Sequence, residues 1–210
     1  MKKPEMHVFL KPKLKDPVFV GGLPGYGDVG RTSAGMLIEH VKAKKFAEIY
    51  SPNLPEYVIV KDDGICHLPR YEFYYNSVGK PNLIILIGDA QPDMNEVRAH
   101  YELCGLVVEF AKNLGCKRFI TLGGFPTLKW EKKVYVAATS RKLATSIAEK
   151  GGGAVYREGR IIGATGLILG LAKAQNLRGE CILGVTSGHA PDRRAARSVF
   201  EYLKDVLKIG

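Results

Sequence analysis

Gly25, Gly27 and Gly30 satisfy the spacing G-x-G-x-x-G, although Gly21-Gly22-Leu23-Pro24 separate them from the β-branched and aromatic run Val18-Phe19-Val20. Glycines so spaced let a backbone approach a pyrophosphate, and Glu48, about 20 residues on, stands where a ribose-binding acid would be wanted. The same residues nearly match a triphosphate loop, since Gly25, Gly30, Arg31 and Thr32 read G-x-x-x-x-G-R-T. There an arginine replaces the compact ammonium that reaches terminal phosphates. A third reading is a tight strand-to-helix turn, with Asp28 at the helix start. Further side chains of suitable chemistry are Asp89, Asp93, Thr121, Ser187, His189 and Asp192. Their spacing matches no known machine. Thr186 occupies the nucleophile position of Gly184-Val-Thr-Ser-Gly, Ser187 and His189 form only a local pair, and the five histidines lack metal-ligand spacing.

These residues need elements to hold them. Val29, Ser33, Met36, Leu37 and Val41 repeat at helical intervals after the glycine turn. Leu83-Ile-Ile-Leu-Ile is a continuous apolar run, the pattern of a strand covered on both faces, and it ends at Gly88-Asp89. A helix is predicted over Asn95 to Leu114, with Val97, Tyr101, Cys104, Val108 and Ala111 along its buried stripe. Arg118-Phe-Ile-Thr-Leu leads into Gly123-Gly124, Val134 to Ala138 is another strand, and Ser140 caps a helix reaching Lys150. Cys181-Ile-Leu-Gly-Val leads into Thr186-Ser187, and Asp192 opens an amphipathic last helix.

Two hairpins are expected. One turns at Asp62-Asp63-Gly64, and the other joins Val155-Tyr-Arg to Arg160-Ile-Ile. The run Tyr71-Glu-Phe-Tyr-Tyr alternates, and Tyr71, Phe73, Tyr74 and Tyr75 are candidates for a subunit contact, with ordinary core packing as the other reading.

The pattern is that of one α/β domain over residues 16–210, preceded by a basic arm or edge strand over residues 1–15. The expected fold is a three-layer α/β/α sandwich around a mostly parallel, mixed sheet. Four glycine-bearing loops, after Val20, Ile87, Leu122 and Val185, would gather at the carboxyl ends of the strands, where ligands bind in open sheets. The 210 residues carry a net charge of +10, which invites an acidic partner, but the basic residues are scattered and no nucleic-acid motif accompanies them. No apolar run is long enough to span a membrane, and the first ten residues lack a signal-peptide core, so a cytoplasmic location is expected. Four dispersed cysteines fit buried thiols in a reducing compartment.

The loops taken together are more specific than any one of them. Val20-Gly-Gly-Leu-Pro-Gly-Tyr-Gly-Asp-Val-Gly resembles the opening motif of archaeal proteasome-assembly chaperone homologues. The likeness continues through Lys44-Lys-Phe-Ala-Glu-Ile-Tyr-Ser-Pro, Glu72-Phe-Tyr-Tyr and Gly88-Asp-Ala-Gln-Pro. It extends through Ile120-Thr-Leu-Gly-Gly-Phe, Gly163-Ala-Thr-Gly-Leu-Ile-Leu-Gly and Asp192-Arg-Arg-Ala-Ala, and so covers roughly Asp16 to Leu207.

The resemblance implies a nucleoside-phosphorylase-like fold used for binding, without catalysis, cofactor or metal. It marks Gly22, Pro24, Gly25, Gly27, Gly30, Gly88, Asp89, Gly123 and Gly124 as family-motif loops. The implied partners are proteasome α-subunits, a homologous chaperone subunit, or further copies of the chain. Two departures stand out. Leu207-Lys208-Ile209-Gly210 lacks the hydrophobic–tyrosine–any tail of members that dock on the α-ring, and Ser187-Gly-His-Ala-Pro differs from relatives. The rival expectation is a nucleotide- or nucleoside-processing enzyme using the glycine crevice.

Overall fold

The computed structural model describes residues 3–127, 133–188 and 191–210. Eleven strands and five α-helices follow the chain among these residues. They begin with β1 (Glu5–Val8), β2 (Val18–Gly22), α1 (Val29–His40) and β3 (Lys44–Tyr50), followed by the short hairpin β4 (Ile59–Val60) and β5 (Cys66–His67). Next come β6 (Arg70–Asn76), β7 (Leu83–Gly88), α2 (Val97–Asn113), β8 (Arg118–Pro126), β9 (Val134–Ala138) and α3 (Arg141–Lys150). The chain closes with β10 (Ala154–Val155), α4 (Ala164–Ala174), β11 (Arg178–Thr186) and α5 (Arg193–Leu207).

Nine strands form one sheet in the order β1-β3-β6-β7-β2-β8-β11-β9-β10. The four central strands β7, β2, β8 and β11 run parallel. Antiparallel pairs flank them on both sides, as β6 joins β7 and β9 joins β11.

Apolar residues alternate across the central strands, so both faces are buried. Val18, Val20, Ile85, Ile120 and Ile182 point to one face, where Leu37 of α1 and Val199 and Leu203 of α5 cover them. Phe19, Ile84, Leu86 and Phe119 point to the other, under Leu103 and Val107 of α2 and Ile168 of α4. The result is the three-layer mixed α/β sandwich that the sequence predicts. Each fully buried aliphatic or aromatic side chain contributes about 1.5–3 kcal/mol, and the fold rests on these two clusters.

Two local expectations are corrected. Residues 160–162 form no strand. Instead β10 lies parallel to β9, with the Tyr156 amide donating to the Val136 carbonyl at 2.8 Å. The left-handed Gly159 (φ 138°) and Gly163 (φ 73°) turn the intervening chain toward α4. Within α2, Cys104, Val108 and Ala111 are buried as expected, whereas Val97 and Tyr101 are exposed. They occupy the first turns of the helix, at the end of the sheet.

Candidate functional site: the crevice at the carboxyl ends of the parallel strands

Because β7, β2, β8 and β11 are adjacent and parallel, the loops after them share one end of the sheet. The glycine turn after β2 is filled by its own neighbours. A Cβ on Gly22 would meet the Gly30 carbonyl and lie 2.7 Å from the Ala34 Cβ. One on Gly30 would strike the Leu122 carbonyl of β8, and one on Gly124 the Tyr26 carbonyl. Gly27 is left-handed (φ 61°) and lies beneath the Thr186 hydroxyl, while its carbonyl accepts the Asp192 amide at 2.7 Å. These glycines bring α1 down onto β2, β8 and β11. That is the packing-turn reading.

Neither phosphate reading has its partners. Glu48 lies in β3, and β6 and β7 intervene between β3 and β2. It is buried there, bound by Lys45 at 2.6 Å and Arg70 at 3.2 Å. Arg31, at the triphosphate-loop lysine position, pairs with Asp89 at 3.6 Å. Asp89 also accepts the Arg70 amide at 3.2 Å and faces His67 at 3.8 Å, so it joins the ends of β7 and β6 to α1.

The remaining candidates do not converge. Asp28 stands at the start of α1 in a left-handed conformation (φ 48°) and makes no capping bond. The Thr32 hydroxyl donates to its Oδ2 at 3.3 Å, and its Oδ1 is buried without a partner. Burial pushes its carboxyl pKa up, against the opposing charge of Arg31 and the Thr32 bond. Asp192 caps α5 by accepting the Ala195 amide at 2.9 Å, and Asp93 accepts the Asn95 amide at 2.9 Å. Thr121 is buried inside β8 and Ser187 is exposed. His189 lies outside the described residues. Among the described residues no three metal-binding side chains cluster.

What the loops do enclose is an apolar cleft of roughly 800 Å³ between α2, α4 and the ends of β8 and β11. Met94, Val97, Tyr101, Phe125, Ile161 and Ile162 supply much of its surface. Among the described residues, Arg160 and His100 are its only ionisable side chains other than tyrosines, and no carboxylate lines it. Gln91 braces the entrance. Its carboxamide donates to the Pro24 carbonyl and accepts the Ala164 amide at 2.8 Å.

Sequence reasoning placed Val97 and Tyr101 in the core and overlooked Met94 and Ile162. The only signal was Gln91-Pro92 beside a helix whose first turns carry apolar residues too far forward to reach the sheet.

The aromatic run is divided by its pleat. Tyr71 and Phe73 are 1% and 0% exposed, packed in the core under α2. Tyr75 is half-buried against Phe46. Tyr74, on the opposite face, donates its hydroxyl to Glu72 at 2.8 Å. Of the four contact candidates, only Tyr74 and Tyr75 keep any exposed edge.

The fold is a glycine-packed three-layer α/β sandwich with an apolar crevice at the carboxyl ends of its parallel strands. The chain belongs to the PAC2 family, whose pattern it matches over residues 19–210. It is 36% identical over 192 residues to an uncharacterized protein of Methanocaldococcus jannaschii, covering 90% of this chain and 72% of that one. The crystal structure of Pyrococcus furiosus PbaB, described as an archaeal proteasome activator, superposes with a TM-score of 0.93 at 34% identity, covering 100% of this chain and 91% of that one. Pyrococcus furiosus PbaA, described as an archaeal homolog of proteasome-assembly chaperone, superposes with a TM-score of 0.80 at 26% identity, covering 98% and 82%. The family resemblance drawn from the ordered loop motifs is thereby confirmed.

Proposed function

We propose that this chain is a non-catalytic, oligomeric chaperone-like factor of archaeal proteasome assembly or activation, working in the cytoplasm. It binds proteasome α-subunits, a homologous chaperone subunit, or both. The observation that carries this reading is the full-length match to PbaB, at 34% identity and a TM-score of 0.93. The site supports it, since the glycines fill packing contacts and Asp89 is engaged by Arg31, leaving an apolar cleft suited to polypeptide. No helix among the described residues is long and apolar enough to cross a membrane.

Contact through the body of the domain fits the fold better than contact through its last residues. Leu207 and Ile209 pack on the α1–α5 core, and the His40 ring meets the Gly210 carbonyl at 2.5 Å. The test is a pull-down with the purified chain against recombinant α-subunits and against native extract. Recovery of α-subunits or a PAC2 homologue is expected, and recovery of neither overturns the reading. Saturable calorimetric binding of a nucleoside or nucleotide, abolished by Asp89→Ala, would instead establish the enzyme alternative.

A further inference from the structure

The β4–β5 hairpin stands apart from the main sheet as a separate two-stranded ribbon. Such a ribbon is marginal in water unless something packs against it. Ile59 pairs with His67, and Val60 with Cys66. Val58 and Leu68 lie one residue beyond these pairs, on the segments that flank them. Side chains alternate across a strand, so Val58, Val60, Cys66 and Leu68 share one face. Ile59 and His67 take the other face, where His67 meets Asp89 at 3.8 Å and both are half-buried. All four residues of the first face are exposed, with Val58 at 53%, Val60 at 62% and Leu68 at 49%. A β-ribbon with its entire outer face apolar and open is an interaction surface.

The same molecule carries a matching receptor. The crevice between α2 and α4 is concave and apolar, and none of its described lining comes from the hairpin, so the hairpin does not occupy its own chain's cleft. The charges at the two sites are complementary. At the exposed hairpin tip Asp62 and Asp63 outnumber Lys61, while the loop beside the cleft carries Arg157 and Arg160 against Glu158, and among the described residues no carboxylate is in the lining. We propose that the outer face of the β4–β5 hairpin of one copy seats in the α2–α4 cleft of a second copy. Acidic tip residues then meet Arg157 and Arg160. Because the two surfaces differ, each copy offers one knob and one socket. The contact is head-to-tail and propagates until a ring closes. This deepens the oligomeric part of the function proposed above. Its test uses the pure chain, so it fails or stands independently of proteasome binding.

The test is mass photometry of the full chain and of two variants. The hairpin variant is Val60→Glu with Leu68→Glu, and the cleft variant is Tyr101→Glu with Ile162→Glu. Wild type is expected above dimer mass. Each variant is expected to fall to the 23.1 kDa of one chain. The two variants mixed recover one intact socket and one intact knob, and so form a dimer. A monomeric wild type, an unchanged mass for either variant, or a mixture that stays monomeric each overturns the proposal.

Circular dichroism checks folding. If a variant unfolds, Cys66 decides the matter through Ile162→Cys in an otherwise wild-type chain. Mild oxidation should join Cys66 of one copy to the introduced thiol of the next, and Cys66→Ser should abolish the bond. A Cys66–Cys66 bond, or none, counts against a head-to-tail contact.

Discussion

Gln91 accepts the backbone N–H of Ala164 at 2.8 Å and so caps a helix 73 residues away in sequence. Gly163, at the cap position of α4, has no side chain to do this. The first amides of a helix need an acceptor from outside it. Through its second bond, to the Pro24 carbonyl, Gln91 also fixes the loop after β2. Gln91→Ala removes both bonds and leaves polar backbone at the cleft rim unsatisfied. We expect a loss of about 1–3 kcal/mol, read as a lower urea midpoint at constant slope, together with faster amide exchange at Ala164.

The glycines separate packing from ligand binding. Gly30→Ala sets a methyl against the Leu122 carbonyl, and Gly22→Ala sets one against Gly30 and Ala34. Backbone cannot swing aside as a side chain can, so each should cost roughly 1–3 kcal/mol or more. A Cβ at Gly25 meets nothing within 4 Å, and Gly25→Ala should stay within about 0.5 kcal/mol of wild type. Gly35, inside α1 with open space around it, should gain about 0.5–1 kcal/mol on substitution by alanine. Denaturant titration of the four variants checks the order. A large loss at Gly25 alone would restore a ligand-cradling role to the turn.

Acid stability should reflect two carboxylates of opposite sign. Burial alone would raise Glu72, but the Tyr74 hydroxyl bond and the charges of Lys45 and Arg70 outweigh it and hold its pKa below the ordinary glutamate value. A depressed folded-state pKa contributes stability that is present above the ordinary value and is lost as pH falls through the folded one. Asp28 is raised by burial, so its folded state prefers the proton and stability declines as pH climbs from the ordinary aspartate value through the raised one. Glu72→Gln should therefore lower Tm at neutral pH and flatten the acid limb. Asp28→Asn should raise Tm at neutral pH. Thermal melts from pH 3 to 8 (a range of about 5 units) test both signs.

Thiol chemistry should distinguish one cysteine from three. Burial pushes the Cys104, Cys116 and Cys181 thiols up to about 12, and each is enclosed by the core. Cys66 is exposed. The thiolate is the reactive form, so iodoacetamide at mild pH should modify Cys66 alone in the folded Val60→Glu, Leu68→Glu variant, whose hairpin face is uncovered, and all four cysteines after denaturation. Mass spectrometry of the peptides gives the answer, and native labelling at Cys104 would contradict the burial of α2.

Local signals carried far along this chain. Continuous apolar runs identified β2, β7, β8 and β11, the Ser140 and Asp192 caps opened α3 and α5, and Gly64 marked the turn of the β4–β5 hairpin. Each of these depends on contacts close in sequence or on burial from both sides, which composition records directly. The ordered loop motifs identified the family for the same reason, since every loop carries its own residues.

Only the tertiary structure decided which strand lies beside which, and the candidate site followed from that. Glu48 has suitable spacing from Gly25, yet two strands separate β3 from β2. Arg31 reads as an imperfect phosphate ligand until Asp89, 58 positions later, is found across from it. Val97 and Tyr101 share a helical stripe with buried Cys104, but whether a residue on that stripe meets the sheet or overhangs its end depends on where the helix is set down. Spacing along a chain fixes the face of a helix or strand, whereas neighbours across a sheet come from the order of its strands, which no local pattern encodes.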